Sequence, residues 1–296
     1  MVSVVIPNLN YGRFLRQAID SVLQQTVPPL EIIVVDDGSS DDSVAVVRGY
    51  GTRVVLLEQS RGGVARARNR GAASATGSHL AFLDSDDAWA PSKLAAQLSR
   101  LRDDAVGLVY CGVEFIDEQG TVLAISTRGK AGRLLEDLAL LRDFGSMGGG
   151  SGCLITREAF ERAGRFDERL STSADWDLFR RIATAYAFAY VAEPLVKYRV
   201  HGAGMHRNVD LLKDDMLLAF GKMFSDPAAH EVSPLRRRAY ANLFLILGAS
   251  YLRAGRGGRA AACVARSLVL WPPVLVQLAA LPFRRVLWPR RVANPS

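Results

Sequence analysis

The apolar run Leu80-Ala81-Phe82-Leu83 leads straight into Asp84-Ser85-Asp86-Asp87, which places three carboxylates within four residues. Such a run suits a strand buried on both faces, so the acids are delivered to the edge of a sheet, where they can hold a hard cation through oxygen. Magnesium or manganese suits carboxylates combined with phosphate oxygens and water better than zinc does. The acids would also serve as a cap for the helix after Pro91, but three adjacent carboxylates repel unless something positive sits among them. Four other groups carry candidate chemistry: Asp36-Asp37-Gly38, the basic stretch Arg66-Ala67-Arg68-Asn69-Arg70, Asp175-Trp176-Asp177, and His201. A carboxylate such as Asp37 accepts hydrogen bonds from a base N–H or serves as an Asx turn or N-cap. The basic stretch can meet a base or a diphosphate, or remain a solvated face.

The elements that must position these residues follow from periodicity. Val2 to Ile6, Ile32 to Val35, Val54 to Leu57 and Leu80 to Leu83 are short, largely β-branched or aliphatic runs. Between them, Phe14, Leu15, Ala18, Ile19, Val22 and Leu23 recur at helical spacing, Val44, Val46 and Val47 begin a second helix, and Val64 to Ala75 is an alanine-rich third. Strands alternating with helices predict an α/β fold with a doubly wound, mostly parallel sheet, and ligands bind outside the carboxyl ends of such strands. The loops at 7–12, 36–43, 59–63 and 84–90 should therefore gather at one edge. After Pro91 the rhythm changes. Leu108 to Ile116 and Thr121 to Ala124 flank Asp117-Glu118-Gln119-Gly120 as a β-hairpin, a small antiparallel element. Phe144 to Gly152 holds five glycines in nine positions before Cys153-Leu154-Ile155, a flexible loop suited to an acceptor lip around Gly149 and Gly150. Thr156 caps a helix that Gly164 ends, Asp175 opens another, and Phe188 to Val191 and Leu195 to Val200 are predicted strands leading to His201. From about Asn208 the chain is helical, with a hairpin broken at Gly255 to Gly258. The expected division is 1–107, a nucleotide-binding half, 108–207, an acceptor-binding half, and 208–296, a basic helical region.

Bulk composition bounds the rest. With 49% hydrophobic residues among 296, a real core is affordable in one large domain or two smaller ones. Cys111, Cys153 and Cys263 are odd in number and widely spaced, which argues against a disulfide framework or a zinc site and for a reducing compartment. No secretory signal is visible ahead of Val2, and a cytoplasmic location is expected, with possible attachment to the inner face of the plasma membrane. The net charge of +7 is unevenly spread: Val232 to Ser296 holds eleven arginines and no acid, which leaves 26 bases against 30 acids before it. No nucleic-acid partner is expected from so acidic a remainder. Trp271, Phe283 and Trp288 with Arg284-Arg285 and Arg290-Arg291 suit an anionic membrane surface, or else a soluble appendage that docks a protein.

Val4-Val5-Ile6-Pro7, Val35-Asp36-Asp37-Gly38-Ser39, Ala67-Arg68-Asn69-Arg70-Gly71, Leu83-Asp84-Ser85-Asp86-Asp87 and Asp175-Trp176-Asp177, in that order, resemble the family 2 glycosyltransferases of GT-A fold. The resemblance covers about residues 1–205. It implies transfer of a sugar from a nucleotide diphosphate sugar, a UDP-sugar foremost, to a saccharide or lipid-linked acceptor, with inversion and with Mn²⁺ or Mg²⁺. It implies Asp86, with Asp87 and His201, at the metal. It implies Pro7, Asn8, Asp37, Arg68, Asn69 and Asp84 at the donor. Asp175 takes the place of the general base, since an in-line displacement needs one carboxylate to accept the acceptor's proton. Trp176 and Asp177 would stand beside the acceptor, although a packed ring and a helix N-terminal charge explain them equally well. Where relatives carry an aromatic ring at the fourth loop position this chain has Leu9, and where they carry Glu-Asp it has Ala174-Asp175. The pattern lacks the Gln-x-x-Arg-Trp motif of processive synthases. A sugar-phosphate nucleotidyltransferase would open with a glycine-rich basic phosphate loop, which Pro7 to Gly12 does not supply, and a degenerate binding module would not need Asp84, Asp86 and Asp175 intact.

Overall fold

Val2–Asn8 (β1) is buried along its whole length, as its β-branched composition requires, and it lies inside the parallel part of the sheet, between its second and fourth strands. The computed structural model describes residues 1–101, 103–142, 149–202 and 208–275. Gly12–Leu23 (α1) buries Phe14, Leu15, Ala18, Ile19 and Val22 and leads to Glu31–Asp36 (β2), Ser43–Arg48 (α2), Val55–Glu58 (β3), Val64–Ser74 (α3) and His79–Phe82 (β4). These strands run parallel in the order β3-β2-β1-β4, with Asn8 opposite Asp36 and Asp36 opposite Glu58, so their carboxyl ends align at one edge. The predicted parallel half is therefore present, and its loops do gather. Core side chains such as Val4, Ile6, Leu15, Ile19 and Val34 are fully buried, each contributing about 1.5–3 kcal/mol.

Beyond β4 the sheet becomes mixed. Ala88–Trp89 (β5), Lys93–Leu98 (α4), Val106–Ile116 (β6) and Val122–Ser126 (β7) follow, then Leu135–Ala139 (α5), Cys153–Thr156 (β8), Arg157–Arg162 (α6), Ala174–Ala183 (α7) and Ala187–Arg199 (β9). Among the described residues the sheet has nine strands, ordered β3-β2-β1-β4-β8-β6-β9-β5 with β7 on β6. β8 is antiparallel to both β4 and β6, and the β6–β7 hairpin forms as predicted. The two strands predicted at 188–191 and 195–200 are one. Pro194, which has no N–H to donate, falls opposite Gly112 where the register slips, so β9 passes its proline through an irregularity instead of ending there. The Thr156 hydroxyl accepts from Ala159 N at 3.2 Å, the predicted cap of α6, and Gly164 takes a φ of +81° just past its end.

Two compact units divide the chain, Met1–Leu134 with Asp143–His201, and Leu135–Arg142 with Gly202–Ser296. The second contains α5, Val209–Ser225 (α8), Arg236–Arg253 (α9) and Gly257–Leu270 (α10). α9 and α10 form the predicted helical hairpin, turning at Gly255 with a φ of +71°. Ser267 Oγ donates to Ala241 O at 2.8 Å between them. Asp210 accepts from Tyr251 Oη, Arg256 and Arg259, at 2.6, 2.6 and 2.5 Å. No helix among the described residues is long and apolar enough to cross a membrane. Phe283, Arg284, Arg285, Trp288, Arg290 and Arg291, on which the membrane expectation largely rests, lie outside the described residues.

Candidate active site

The acid cluster is a tight turn between β4 and β5. Leu83 N donates to Val5 O at 3.0 Å, which carries the strand one residue past β4, and Asp87 N donates back to Asp84 O at 3.0 Å, which closes the turn. The three carboxylates then go to three different partners. Asp84 Oδ1 accepts from Arg68 Nη2 at 2.5 Å. Asp86 Oδ2 stands 2.8 Å from His201 Nε2. Asp87 is buried, accepting from Ser151 Oγ at 2.6 Å through Oδ2 and from Arg199 N at 2.9 Å through Oδ1. Burial, then the Asp86 and Asp84 charges, push the Asp87 carboxyl well above the usual range. Asp87, expected at the metal, is 2% exposed with a hydrogen bond on each oxygen, and it ties the turn to the end of β9 and to the stretch before β8.

Arg68 is the cation that the cluster needed. It lies on α3, 4% exposed, with its guanidinium 5.3 Å from the Phe166 ring centre. Burial opposes its charge, but Asp84 and then Asp175 more than offset that, and its pKa is raised. Asp175 sits in the first turn of α7, with Oδ1 accepting from Trp176 N at 2.8 Å. Its carboxyl is raised by burial, lowered by Arg68, and raised again by Asp84. One guanidinium thus bridges electrostatically between the acid turn and α7. Gly149 and Gly150 leave room for this: a Cβ on Gly150 would come within 3.2 Å of Arg68 Nη2, and one on Gly149 within 3.1 Å of Asp175 Oδ2. Gly149 and Gly150, expected as an acceptor lip, lie against Asp175 and Arg68 respectively; residues 144–148 of that loop lie outside the described residues.

The other expected residues divide. Pro7 and Asn8 end β1, where Asn8 Nδ2 donates to Asp36 Oδ1 at 3.0 Å and Ser39 Oγ at 3.2 Å. Asp37 is buried with Oδ1 accepting from Gln59 Nε2 and Gly62 N, both at 2.7 Å, and Oδ2 from Gly63 N at 2.8 Å, so it holds the loop that opens α3. Asn69 faces away from the acids, paired with Phe166 N at 3.0 Å and Phe166 O at 2.9 Å. Its expected donor contact gives way to pinning the segment after α6. Trp176 is fully buried and packs; it does not present a ring to an acceptor. Asp177 is likewise buried, with Oδ1 accepting from Arg180 Nη2 at 3.0 Å and Oδ2 from Arg181 Nε at 2.9 Å, so its expected acceptor role is replaced by an internal ion network.

Three positions escaped sequence reasoning. Ser151 is buried in the turn Gly149–Gly152, accepts from Asp84 N at 3.1 Å and donates to Asp87. Arg199 sends its guanidinium to Asp86 O at 2.8 Å, Asp117 O at 2.9 Å, Glu118 O at 3.0 Å and Gln17 Oε1 at 2.6 Å. Tyr11 sets its ring edge-on to His201 at 5.4 Å, and its hydroxyl is pushed up to about 12 by burial and then by Asp86. Arg199 lies within the predicted strand Leu195 to Val200, but its partner carbonyls are 81 to 113 residues away, a distance that no spacing pattern reports.

Among the described residues no group of three or more His, Cys, Asp or Glu side chains forms a cation cage. Asp84 and Asp86 nonetheless keep 31% and 19% of their side chains exposed, with oxygens not used by Arg68 or His201. Two open carboxylates fit Mg²⁺ or Mn²⁺, which takes few protein ligands and fills its shell with phosphate oxygens and water.

Comparison with known proteins gives the arrangement a family. The family model described as Glycosyl transferase family 2 matches residues 3–164. An uncharacterized glycosyltransferase of Rickettsia prowazekii is 32% identical over 206 residues, a match spanning 69% of this chain and 65% of that protein. A mannosyltransferase from Pyrobaculum calidifontis, solved in complex with GDP-Man and Mn²⁺, is similar at a TM-score of 0.63 with 22% identity, over 96% of this chain and 81% of that one. Residues 1–349 of TarS from S. aureus, solved in complex with UDP-GlcNAc, give a TM-score of 0.63 with 15% identity, over 89% and 90%. At these identities the two structures speak for a shared GT-A-like fold. With more than half of its length matched by the family model, the chain belongs to glycosyl transferase family 2.

Proposed function

We propose that this chain transfers a sugar from a nucleoside diphosphate sugar to an acceptor hydroxyl by a single displacement with inversion. The observation that carries the reading is Arg68, set between Asp84 on the acid turn and Asp175 on α7. Donor and acceptor chemistry need opposite charge requirements within one small space. The diphosphate leaving group gathers negative charge as the glycosidic bond breaks, and the attacking hydroxyl must lose a proton on the far side of the sugar. Asp175, partly exposed and with a raised pKa, is the group that accepts that proton. Arg68 lowers the Asp175 pKa against the effect of burial, and Asp84 holds Arg68 in place.

Asp86, with His201 beside it and Asp84 adjacent, would hold Mn²⁺ or Mg²⁺, which supplies neutralising charge to the diphosphate when bound. His201 orients the Asp86 carboxylate through Nε2, as outer partners of ligands do. The base-side loops, built on Asn8, Asp36 and Asp37, offer a hydrogen-bonding edge to a nucleobase. The two similar structures hold GDP-Man and UDP-GlcNAc, so uracil and guanine donors are the two to compare, the UDP-sugar first. A saccharide or lipid-linked acceptor, in cell-surface polysaccharide or glycolipid assembly, completes the reading. The acid-free stretch from Val232 would bring the enzyme to an anionic membrane.

A thermal-shift screen of UDP- and GDP-sugars with and without Mn²⁺ tests the donor class, because a ligand bound by the native state raises its stability. A rise in melting temperature that needs both nucleotide sugar and Mn²⁺ is expected. No shift with any donor would overturn the reading.

A further inference from the structure

Ser151 belongs to no motif and touches both ends of the acid turn. Its hydroxyl donates to Asp87 Oδ2 at 2.6 Å and accepts from Asp84 N at 3.1 Å, while the residue itself is fully buried. Its backbone is fixed from behind. Trp89 Nε1 donates to Ser151 O at 2.9 Å, and Gln97 Nε2 donates to Gly152 O at 2.8 Å. Gln97 is in turn held by Lys93 Nζ at 2.7 Å, and that ammonium lies 3.9 Å from the centre of the Trp89 ring. Two residues before Ser151, Gly149 lies against Asp175. The short turn Gly149–Gly152 therefore abuts both the acid turn and the proposed base.

We propose that Ser151 is a positioning residue for the cation and diphosphate site, acting through Asp87 to set the direction in which Asp84 and Asp86 present their carboxylates. The proposal rests on the reading of Asp86 as the cation-binding carboxylate. A serine hydroxyl suits the task. It donates to one acid and accepts from the backbone of another with a single oxygen, so the two ends of a four-residue turn are locked to one atom. Arg199 N closes the other side of Asp87 at 2.9 Å, so the carboxylate cannot rotate while Ser151 is in place. Removing the hydroxyl frees Asp87 Oδ2 and the Asp84 amide, and the turn loses its fixed geometry without losing any group that would meet the cation.

The test is Mn²⁺ binding measured by electron paramagnetic resonance in the presence of UDP or of GDP, a readout that requires no turnover. Loss of an outer partner weakens metal binding about 10- to 100-fold, and Ser151→Ala is expected in that range. Ser151→Cys, nearly the same size with a weaker donor, is expected to fall between Ser151→Ala and the parent, and it serves if Ser151→Ala folds poorly. Because Ser151 acts through Asp87, Ser151→Ala is expected to add little in an Asp87→Asn background. Parent-like Mn²⁺ binding by Ser151→Ala, with binding abolished in Asp86→Ala, overturns the inference and leaves the site reading standing. A full Ser151→Ala loss that persists in the Asp87→Asn background also overturns it. Parent-like binding by Asp86→Ala overturns the site reading, and this inference with it.

Discussion

Arg68 Nη2 donates to Asp84 Oδ1 at 2.5 Å, and the same guanidinium is the strongest influence holding the Asp175 carboxyl down against its burial. The acid turn and the proposed base therefore share one buried cation. Arg68→Met leaves Asp84 and Asp175 without it, and leaving a partly exposed acceptor unpaired costs about 1–3 kcal/mol. Chemical denaturation is expected to show a loss of that order. It should also show partial recovery in Arg68→Met/Asp84→Asn, where the orphaned charge is gone.

As the proposed base, Asp175 is expected to give the reaction its pH dependence. A base works deprotonated, and this carboxyl is raised by burial above the ordinary value of about 3.9. Turnover is expected to fall as pH drops through that raised pKa, at a higher pH than an exposed aspartate would give. A kcat profile checks this, and Arg68→Met should move the acidic limb further up, because the guanidinium that lowers the pKa is gone. An acidic limb at the ordinary aspartate position would count against Asp175 as the base.

Asp177 and Trp176 are expected to matter for stability and not for acceptor binding. Asp177→Ala removes the buried carboxylate that Arg180, itself only 1% exposed, and Arg181 both meet, and is expected to cost several kcal/mol. Trp176→Ala opens a cavity worth about 3–5 kcal/mol. Variants that retain folded protein at low temperature should keep the parent KM for acceptor.

Lys93 is buried with no carboxylate partner among the described residues, and desolvation lowers its pKa from 10.5 to about 8. Between about 8 and 10.5 the unfolded chain holds the proton and the folded chain does not, so this group makes stability rise with pH across that window. Below it both states are protonated and the folded state bears the full penalty. Lys93→Met is expected to flatten that rise relative to the parent when unfolding is followed by urea titration from pH 7 to 10.

Much of this fold was legible because its signals are local. β1 to β4 are runs of apolar residues separated by helical periods, and Asp84, Asp86 and Asp175 sit where a strand or helix end delivers them. What sequence reasoning misplaced depends on partners far along the chain. Asn69, Asp177 and Trp176 carry polar or aromatic chemistry in the right neighbourhood, yet Asn69 pairs with Phe166 far along the chain, Asp177 with arginines of its own helix, and Trp176 enters the core. Asp87 looked like a third cation ligand because adjacency in sequence says nothing of which oxygens Ser151 and Arg199 already hold. β5, two residues long, was invisible for want of any period to detect. Ser151 sat inside a glycine-rich stretch whose composition signals flexibility, although its contacts make it one of the most firmly held residues of the site.

The central claim is that Asp175 removes the acceptor's proton while the acid turn binds the donor. Turnover of Asp175→Asn is its most direct test, measured with UDP- and GDP-sugars and Mn²⁺ beside Mn²⁺–nucleotide binding of the same protein. A general base contributes about 10²–10⁴-fold, so turnover is expected to fall by that factor with binding retained. Parent-level turnover in Asp175→Asn would contradict the account.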